Sequence, residues 1–228
     1  MTDPRASAGR LPPPTWEALD DWLGSVRERA LASPAGGEAA ASDPEVTISM
    51  PARNTAPMIG VALRSVLDQS GPSVEVIVVD DGSDDETATV AEGTGDPRVQ
   101  VIRLERSRGI GAGHNLVTRH ARGRFIVHVD SDDVVLPGGI EGAVAPLRAR
   151  PELVHTYSDF FDLAVDGSID EASYHEQLGR FDRRYQSGVD VRRELLVHGM
   201  VANHLRAYRK SALEEVGGFG ETLVHGED

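Results

Sequence analysis

The sequence predicts an α/β fold, in which helices flank a mostly parallel sheet and the C-terminal part is less regular. Short apolar runs alternate with helix-like stretches from Val46 onward, which is the pattern of right-handed β-α-β crossovers. Two of these runs end abruptly in carboxylates, as expected at the carboxyl edge of such a sheet. With 228 residues, 39% of them hydrophobic, the chain can bury one α/β core and carry an appendage.

Residues 1–44 are predicted to be an N-terminal extension of a domain that spans residues 45–228. The extension is rich in Ala, Pro, Gly and Ser, apart from one amphipathic stretch at 15–31. Apolar side chains recur there near helical spacing, and Thr15 after three prolines suits an N-cap. We expect a helix that packs on the domain or on a partner, followed by a loose linker.

The remaining elements follow from periodicity and turn signals. Strands are expected near 46–50, 74–80, 99–104, 125–130 and 153–158, and helices near 58–69, 85–92, 111–122 and 138–149. Asp84 or Asp85 would cap the helix near 85–92. Beyond Asp159 the pattern predicts a hairpin turn at Asp166-Gly167, a helix over 189–198, a strand over 204–208 and a short helix over 211–216.

Charge and composition exclude several classes of partner. The 37 acidic residues outnumber the 23 basic ones, giving 14 net negative charges, which argues against nucleic acid and anionic membrane surfaces as partners. The absence of cysteine excludes disulfides and thiolate metal sites and fits a reducing compartment. No apolar run of about 18 residues occurs, so a soluble cytoplasmic protein is expected. Nothing in the sequence indicates an oligomeric state.

Carboxylates cluster after two of the predicted strands. The run at 125–129 ends in Asp130, Asp132 and Asp133, and the run at 74–79 ends in Asp80 and Asp81. Carboxylates this close repel one another unless a cation or strong donors intervene, and hard oxygen ligands suit Mg²⁺ or Mn²⁺. The alternative for the first cluster is a solvated turn in which Asp133 caps the next helix.

A glycine-rich segment over 109–113 lies between the two acidic turns and is followed by His114. It imitates a dinucleotide-binding fingerprint, but the third glycine comes one residue early and His114 stands where a small residue is required. We interpret it instead as a tight helix entry whose backbone N–H groups face a ligand anion.

Taken together, these segments resemble the family 2 glycosyltransferases of GT-A fold. The likeness covers residues 46–228 and rests on several motifs in the family's order. These are the first strand and nucleotide loop at 46–54, the base-recognising turn at 78–83, the helix entry at 108–115, the metal motif at 130–133 and the acceptor-side motif at 217–228.

The resemblance implies transfer of a sugar from a nucleoside-diphosphate sugar, with UDP-sugars favoured, to a saccharide, lipid-linked or other hydroxyl acceptor. Transfer would depend on Mn²⁺ or Mg²⁺ and invert the anomeric centre. The implied site residues fall into three groups. The donor nucleotide would meet Pro51, Arg53, Asn54, Asp80, Asp81, Gly109 and Asp132, the metal would be held by Asp130 and Asp133, and the acceptor side would carry Glu227 and His204 with Asp228 as general base.

This chemistry also has a physical basis of its own. A diphosphate leaving group accumulates negative charge as the sugar bond breaks, and a divalent ion neutralises that charge. The anomeric carbon becomes oxocarbenium-like, as in glycoside hydrolysis. A carboxylate on the opposite face takes the proton of the acceptor hydroxyl. One direct displacement would therefore invert the anomeric centre.

Some positions depart from the family pattern. Arg53 stands where many relatives place an aromatic residue, and His114 stands where many have arginine. The sequence stops at Asp228 whereas relatives continue, so we expect an incomplete C-terminal part. His128 alternates with apolar neighbours and should lie on a sheet face covered by a helix.

Two other functions remain open at this stage. One is a non-catalytic nucleotide-binding module. The other is a metal-dependent nucleotidyltransferase, although the first strand lacks the glycine-rich, lysine-containing loop of that class.

Overall fold

The computed structural model describes residues 16–31, 43–158 and 205–221. Within these ranges the chain forms one six-stranded sheet in the order β3-β2-β1-β4-β6-β5. The strands are β1 (Val46–Ala52), β2 (Val74–Asp80), β3 (Val99–Arg103), β4 (Phe125–His128), β5 (His155–Thr156) and β6 (Ala207–Arg209). The helices are α1 (Trp16–Leu31), α2 (Ala56–Leu67), α3 (Thr87–Glu92), α4 (Ile110–His120), α5 (Gly139–Ala149) and α6 (Lys210–Val216).

The predicted mostly parallel sheet is confirmed. β1 lies between β2 and β4, with Val46 opposite both Val74 and Phe125, and β3 extends the parallel part beyond β2. β6 then pairs with β4 in the antiparallel sense, and β5 pairs with β6, placing Thr156 opposite Ala207. The carboxyl ends of β1, β2 and β4 consequently share one edge of the sheet.

Helices cover both faces of the sheet. On one face α2, α3 and α5 enclose the largest apolar cluster, and on the other face α4 and α6 enclose two smaller ones. All seven residues of β2 are buried, because a parallel strand between two helical layers meets no solvent. This explains why the strands read as continuous apolar runs.

The predicted N-terminal helix is present as α1 and packs on α2. Leu23 and Val26 are buried, and the Arg29 guanidinium lies 2.8 Å from the Asp68 carboxylate. The amphipathic stretch therefore docks on the domain. The predicted linker lies outside the described residues, apart from its last positions.

An ionic contact between the buried Glu75 and the half-exposed Arg122 ties the amino ends of the central strands together. The Glu75 carboxylate accepts hydrogen bonds from the Thr47 hydroxyl at 2.6 Å and from the backbone N–H and guanidinium of Arg122 at 2.7 and 2.8 Å. The Thr47 hydroxyl accepts in turn from the N–H of Gly123 at 2.9 Å. One side-chain network thus joins β1, β2 and the turn that precedes β4.

Some element boundaries differ from the prediction. The strand expected near 153–158 contains only residues 155–156, because β5 lies at the sheet edge and pairs with β6 alone. α3 begins at Thr87 with Glu86 in the N-cap position and no side-chain cap. Asp85 instead accepts from the N–H of Thr87 at 2.9 Å and from the N–H of Ala56 in α2 at 3.1 Å. The turn at Asp166-Gly167 and the helix over 189–198 fall outside the described residues.

Candidate functional site

The candidate site lies at the carboxyl edge of the sheet, where the loops after β2, β1 and β4 meet. The N–H of Asp81 donates to the carbonyl of Ala52 at 2.8 Å, and the N–H of Val129 donates to the carbonyl of Ser49 at 3.1 Å. β1 is therefore tied to both acid-bearing neighbours. Adjacent strands lie about 4.8 Å apart, so the two acidic turns begin about 10 Å from each other across β1.

The buried carboxylate of Asp81 holds the loop that leads into α4. It accepts three hydrogen bonds, from the N–H of Arg108 at 2.7 Å, the hydroxyl of Ser107 at 2.6 Å and the N–H of Gly109 at 3.0 Å. A carboxylate has about four lone-pair sites, so one remains for a further donor. Asp81 thus combines a structural role with a remaining acceptor position.

Two glycines allow this loop to approach the turn after β2. Gly82 has a φ of 67°, and a Cβ there would lie 2.8 Å from the backbone of Arg106 and Ser107. Gly109 has a φ of 89° and directly precedes α4. The predicted tight helix entry is therefore confirmed, but the N–H groups at 108 and 109 donate to the Asp81 carboxylate and not to a ligand anion as predicted.

The turns after β1 and β2 bind each other through Asn54. This residue adopts a left-handed conformation with a φ of 55°. Its N–H donates to the Ser83 hydroxyl at 3.0 Å, and its side-chain oxygen accepts from the N–H of Asp84 at 2.9 Å. The N–H of Ser83 also donates to the Asp80 carboxylate at 3.2 Å. Arg53 is exposed beside this contact.

Gly113 allows α4 to pack directly on the end of β1. A Cβ at this position would lie 3.0 Å from the Cβ of Pro51. Close helix–strand packing is the role of the third glycine in a dinucleotide fingerprint, here one residue earlier. The structure therefore brings together the predicted donor-side residues Pro51, Asn54, Asp80, Asp81 and Gly109, with Arg53 beside them.

The predicted metal motif forms a tight turn after β4. The N–H of Asp133 donates to the carbonyl of Asp130 at 3.1 Å. Asp132 is exposed, whereas Asp130 and Asp133 are partly buried. Across the described ranges no group of three His, Cys, Asp or Glu side chains converges as a complete metal site. Mg²⁺ and Mn²⁺ need fewer than three protein ligands, because they commonly bind one or two carboxylates together with water and substrate phosphates. The residues present fit such an ion.

A layer of stacked rings adjoins this turn. The imidazoles of His114 in α4 and His128 in β4 are parallel, with centroids 3.6 Å apart. His155 stacks in the same way on Tyr208, with centroids 4.5 Å apart, and Tyr208 contacts His128 at 4.9 Å. The prediction that His128 lies on a sheet face under a helix is confirmed.

Burial keeps these imidazoles neutral. It lowers the pKa of His114 to about 3, an effect that the Arg206 guanidinium reinforces and the Asp130 carboxylate opposes. Burial and Arg206 also lower the pKa of His155 to about 4. Burial, helped by the nearby His114, holds the pKa of His128 well below its usual range. The Ser49 hydroxyl lies 2.8 Å from Nδ1 of His114. The layer is therefore an uncharged support beside a strongly acidic turn.

The predicted acceptor-side motif begins in contact with α4. Asn115 binds the backbone of Phe219 through two hydrogen bonds, and the Phe219 ring contacts the ring layer. Sequence reasoning did not single out Asn115, and the close approach of Gly218 to it is visible only in the structure. Asp228, Glu227 and His204 lie outside the described residues, so their roles stay predictions.

Among the described residues, none of the helices has the length and apolar character that a membrane span requires.

The chain is similar in sequence to the succinoglycan biosynthesis protein ExoO of Rhizobium meliloti, with 47% identity over 94 residues. That match covers 41% of this chain and 27% of the relative, so the chain spans about a quarter of the relative's length.

Solved structures share the fold. The mannosyltransferase PcManGT of Pyrobaculum calidifontis, in complex with GDP-Man and Mn²⁺, matches 93% of this chain and 60% of its own with a TM-score of 0.57 at 22% identity. The S. aureus TarS 1-349 structure, in complex with UDP-GlcNAc, matches 81% of this chain and 51% of its own with a TM-score of 0.61, also at 22% identity.

These likenesses show the GT-A glycosyltransferase fold that the sequence predicts. The family model for glycosyl transferase family 2 matches residues 47–217, which include β1 to α6 and both acidic turns. The chain belongs to glycosyl transferase family 2.

Proposed function

We propose that this protein transfers a sugar from a nucleoside-diphosphate sugar to a hydroxyl acceptor, with a divalent ion and with inversion at the anomeric carbon. One observation carries the proposal: the acidic turns after β2 and β4 flank the end of β1 on a single sheet edge. Ligands of open α/β sheets bind outside such carboxyl ends. The family membership supports sugar transfer as the chemistry.

On the donor side, Asp81 would read the base. Its carboxylate is buried and keeps one acceptor position after binding residues 107–109. The imide N–H of uracil and the amide N–H of guanine both match such an acceptor. We favour UDP-sugars, in keeping with the UDP-GlcNAc bound by one structural relative, while another binds GDP-Man. Asp132, exposed on the turn after β4, would lie near the ribose.

Asp130 and Asp133 would hold Mn²⁺ or Mg²⁺. When bound, the ion would neutralise the charge that develops on the diphosphate leaving group. The net negative charge of the chain and its acidic site edge would otherwise repel an anionic donor. Binding of the ion by these carboxylates would therefore make an edge that repels the donor into one that binds the donor only when the ion is present.

On the acceptor side, Asp228 would take the proton of the attacking hydroxyl, with Glu227 and His204 nearby. A positioned general base contributes about 10²–10⁴-fold to the rate. A single displacement needs no covalent nucleophile and leaves the product with inverted configuration.

Calorimetric titration of UDP and GDP, with Mn²⁺ or with EDTA, tests donor binding. We expect binding only with the ion, and we expect Asp133→Asn to remove most of the metal-dependent affinity. The matched control is Asp84→Asn, which removes one exposed carboxylate from the other acidic turn. Equal affinity in EDTA would contradict the metal assignment.

Product analysis then distinguishes the possible activities. Release of nucleoside diphosphate from a sugar donor, dependent on a hydroxyl acceptor, is the expected result. Metal-dependent binding without turnover would indicate a binding module, and release of pyrophosphate from a nucleoside triphosphate incubated with a sugar phosphate would indicate a nucleotidyltransferase. Anomeric NMR of the product reports inversion or retention.

A further inference from the structure

We infer that Asn115 is a positioning residue that anchors the acceptor-side segment 217–221 to α4. This inference rests on the proposed function, because it assigns the anchored segment to the acceptor half of a transferase site. The evidence is a set of contacts that no regular secondary structure supplies.

The Asn115 side chain pairs with a backbone that belongs to no strand or helix. Its Nδ2 donates to the carbonyl of Phe219 at 2.9 Å, and its Oδ1 accepts from the N–H of Phe219 at 2.8 Å. This reciprocal pair imitates the bonding between neighbouring β-strands. Nδ2 also donates to the Glu221 carboxylate at 3.0 Å. Three of the four bonds open to an asparagine are thus made by a residue that is only 7% exposed.

The segment is shaped to receive this amide. Gly217 and Gly218 have φ values of 82° and 85°, which place the chain in the left-handed region as it leaves α6. A Cβ at Gly218 would lie 2.2 Å from Oδ1 of Asn115. The second glycine is therefore required by the anchor as well as by the turn.

The anchor also fixes an aromatic ring. With its backbone held by Asn115, Phe219 contacts the rings of His114, His128 and Tyr208 at centroid distances of 5.6, 5.1 and 5.8 Å. Those rings belong to the layer beside the Asp130 turn. Displacement of Phe219 would accordingly disturb the side of the site next to the Asp130 turn.

Arg108 connects the same segment to the donor side. Its guanidinium lies 3.3 Å from the Glu221 carboxylate, and its backbone N–H donates to Asp81 at 2.7 Å. The predicted base Asp228 follows Glu221 by seven residues, a length that can extend over about 25 Å. Anchoring at Phe219 and Glu221 restricts where that stretch of chain begins.

The test compares Asn115→Asp with the unsubstituted 228-residue protein. The substitution keeps the shape of the side chain but replaces both donor N–H groups with an oxygen that faces the Phe219 carbonyl and the Glu221 carboxylate. We expect amide exchange in residues 218–221 to accelerate about tenfold or more, as for the loss of about one hydrogen bond. Affinity for UDP with Mn²⁺ should change less than about twofold, while kcat/KM for the acceptor should fall about tenfold or more.

A rescue and a control separate positioning from general damage. Asn115→Asp combined with Glu221→Gln restores a donor opposite the new carboxylate, so it should recover part of the exchange protection and of kcat/KM. Thr118→Ala, one turn along α4, removes a hydroxyl that bonds to the His114 carbonyl within the helix. This control should change neither the exchange protection of residues 218–221 nor kcat/KM for the acceptor.

The outcomes distinguish this inference from the proposed function. Unchanged exchange in Asn115→Asp, or an acceptor kcat/KM equal to that of the unsubstituted protein, would overturn the anchor. A large loss of UDP affinity in this variant would also overturn it, because the residue would then belong to the donor side. If the unsubstituted protein bound no nucleotide, the proposed function would fail, and the exchange measurement would still decide whether Asn115 holds the segment.

Discussion

Replacing Asp81 with asparagine tests whether one carboxylate both holds the 107–109 loop and reads the nucleotide. The carboxylate accepts bonds from Ser107, Arg108 and Gly109. An amide has only one oxygen, so its best orientation serves Ser107 and Gly109 and turns an NH₂ group toward the N–H of Arg108. One charge-assisted hydrogen bond is lost and the other two become neutral hydrogen bonds. Together these changes lower the free energy of unfolding by about 3 kcal/mol before the loop relaxes. The loop is exposed and can rehydrate, so we expect a net cost of about 2 kcal/mol.

Hydrogen exchange and calorimetry measure the two effects. A cost of about 2 kcal/mol should accelerate exchange of the Arg108 and Gly109 amides about 30-fold. UDP affinity should fall more in Asp81→Asn than in Asp228→Asn, because only the first residue is assigned to the base. Asp84→Asn, on the exposed part of the same turn, is the control. Exchange at 108 and 109 equal to that of the control would refute the structural reasoning, and a larger effect from Asp228→Asn would reverse our assignment of the two sides.

Three further predictions concern stability, each measured by urea unfolding. The folded-state pKa of His114 is depressed to about 3. Between about pH 6.5 and pH 3 the unfolded chain therefore binds a proton that the folded chain does not, so the free energy of unfolding decreases as the pH is lowered. His114→Asn should remove up to about 1.4 kcal/mol per pH unit from that slope, and an unchanged slope would contradict the burial argument. Glu75→Gln should cost about 2 kcal/mol above about pH 4.5. Burial raises the pKa of Glu75 but hydrogen bonds from Thr47 and Arg122 lower it more, so the net pKa is lowered and the cost shrinks as pH falls through the folded value. Glu92→Gln, at an exposed pair with Arg103, should leave the free energy of unfolding almost unchanged, because an exposed ion pair is screened by water. Gly218→Ala should cost about 1–3 kcal/mol through its φ of 85° and its clash with Asn115, whereas Gly142→Ala, in a helix with open space around it, should be neutral or stabilising.

The parallel half of the fold was predictable because its central strands β1, β2 and β4 are buried on both faces. The run from Val74 to Asp80 is apolar apart from Glu75 and its terminal acid, and the observed strand has these bounds. The acids at its end indicated the candidate site for the same reason, since a buried strand can expose polar groups only where it ends. Asp81 was accordingly found from local sequence alone.

Contacts between distant parts of the chain were not predictable in this way. Asn115 and Phe219 are separated by 104 residues, and an asparagine inside a helix carries no local sign of a partner. The antiparallel direction of β6 likewise depends on which neighbour it meets, and a three-residue strand has too little pattern to reveal it. Asp84 or Asp85 was predicted to cap α3, but the N-cap is Glu86. The bond from the N–H of Ala56 in α2 to Asp85 depends on the folded arrangement and could not be predicted.

The pairing of β5 with β6 has a consequence for how this fold tolerates a change in the length of the segment that joins these two strands. β5 ends at Thr156 and β6 begins at Ala207, and these two residues lie directly opposite each other. Closing a loop between adjacent ends costs only about 0.6 kcal/mol more for each doubling of its length. We therefore expect segments of different size to be exchanged between these two points without shifting the register of β1 to β4. The half of the sheet that carries the two acidic turns can remain constant while the other half is replaced.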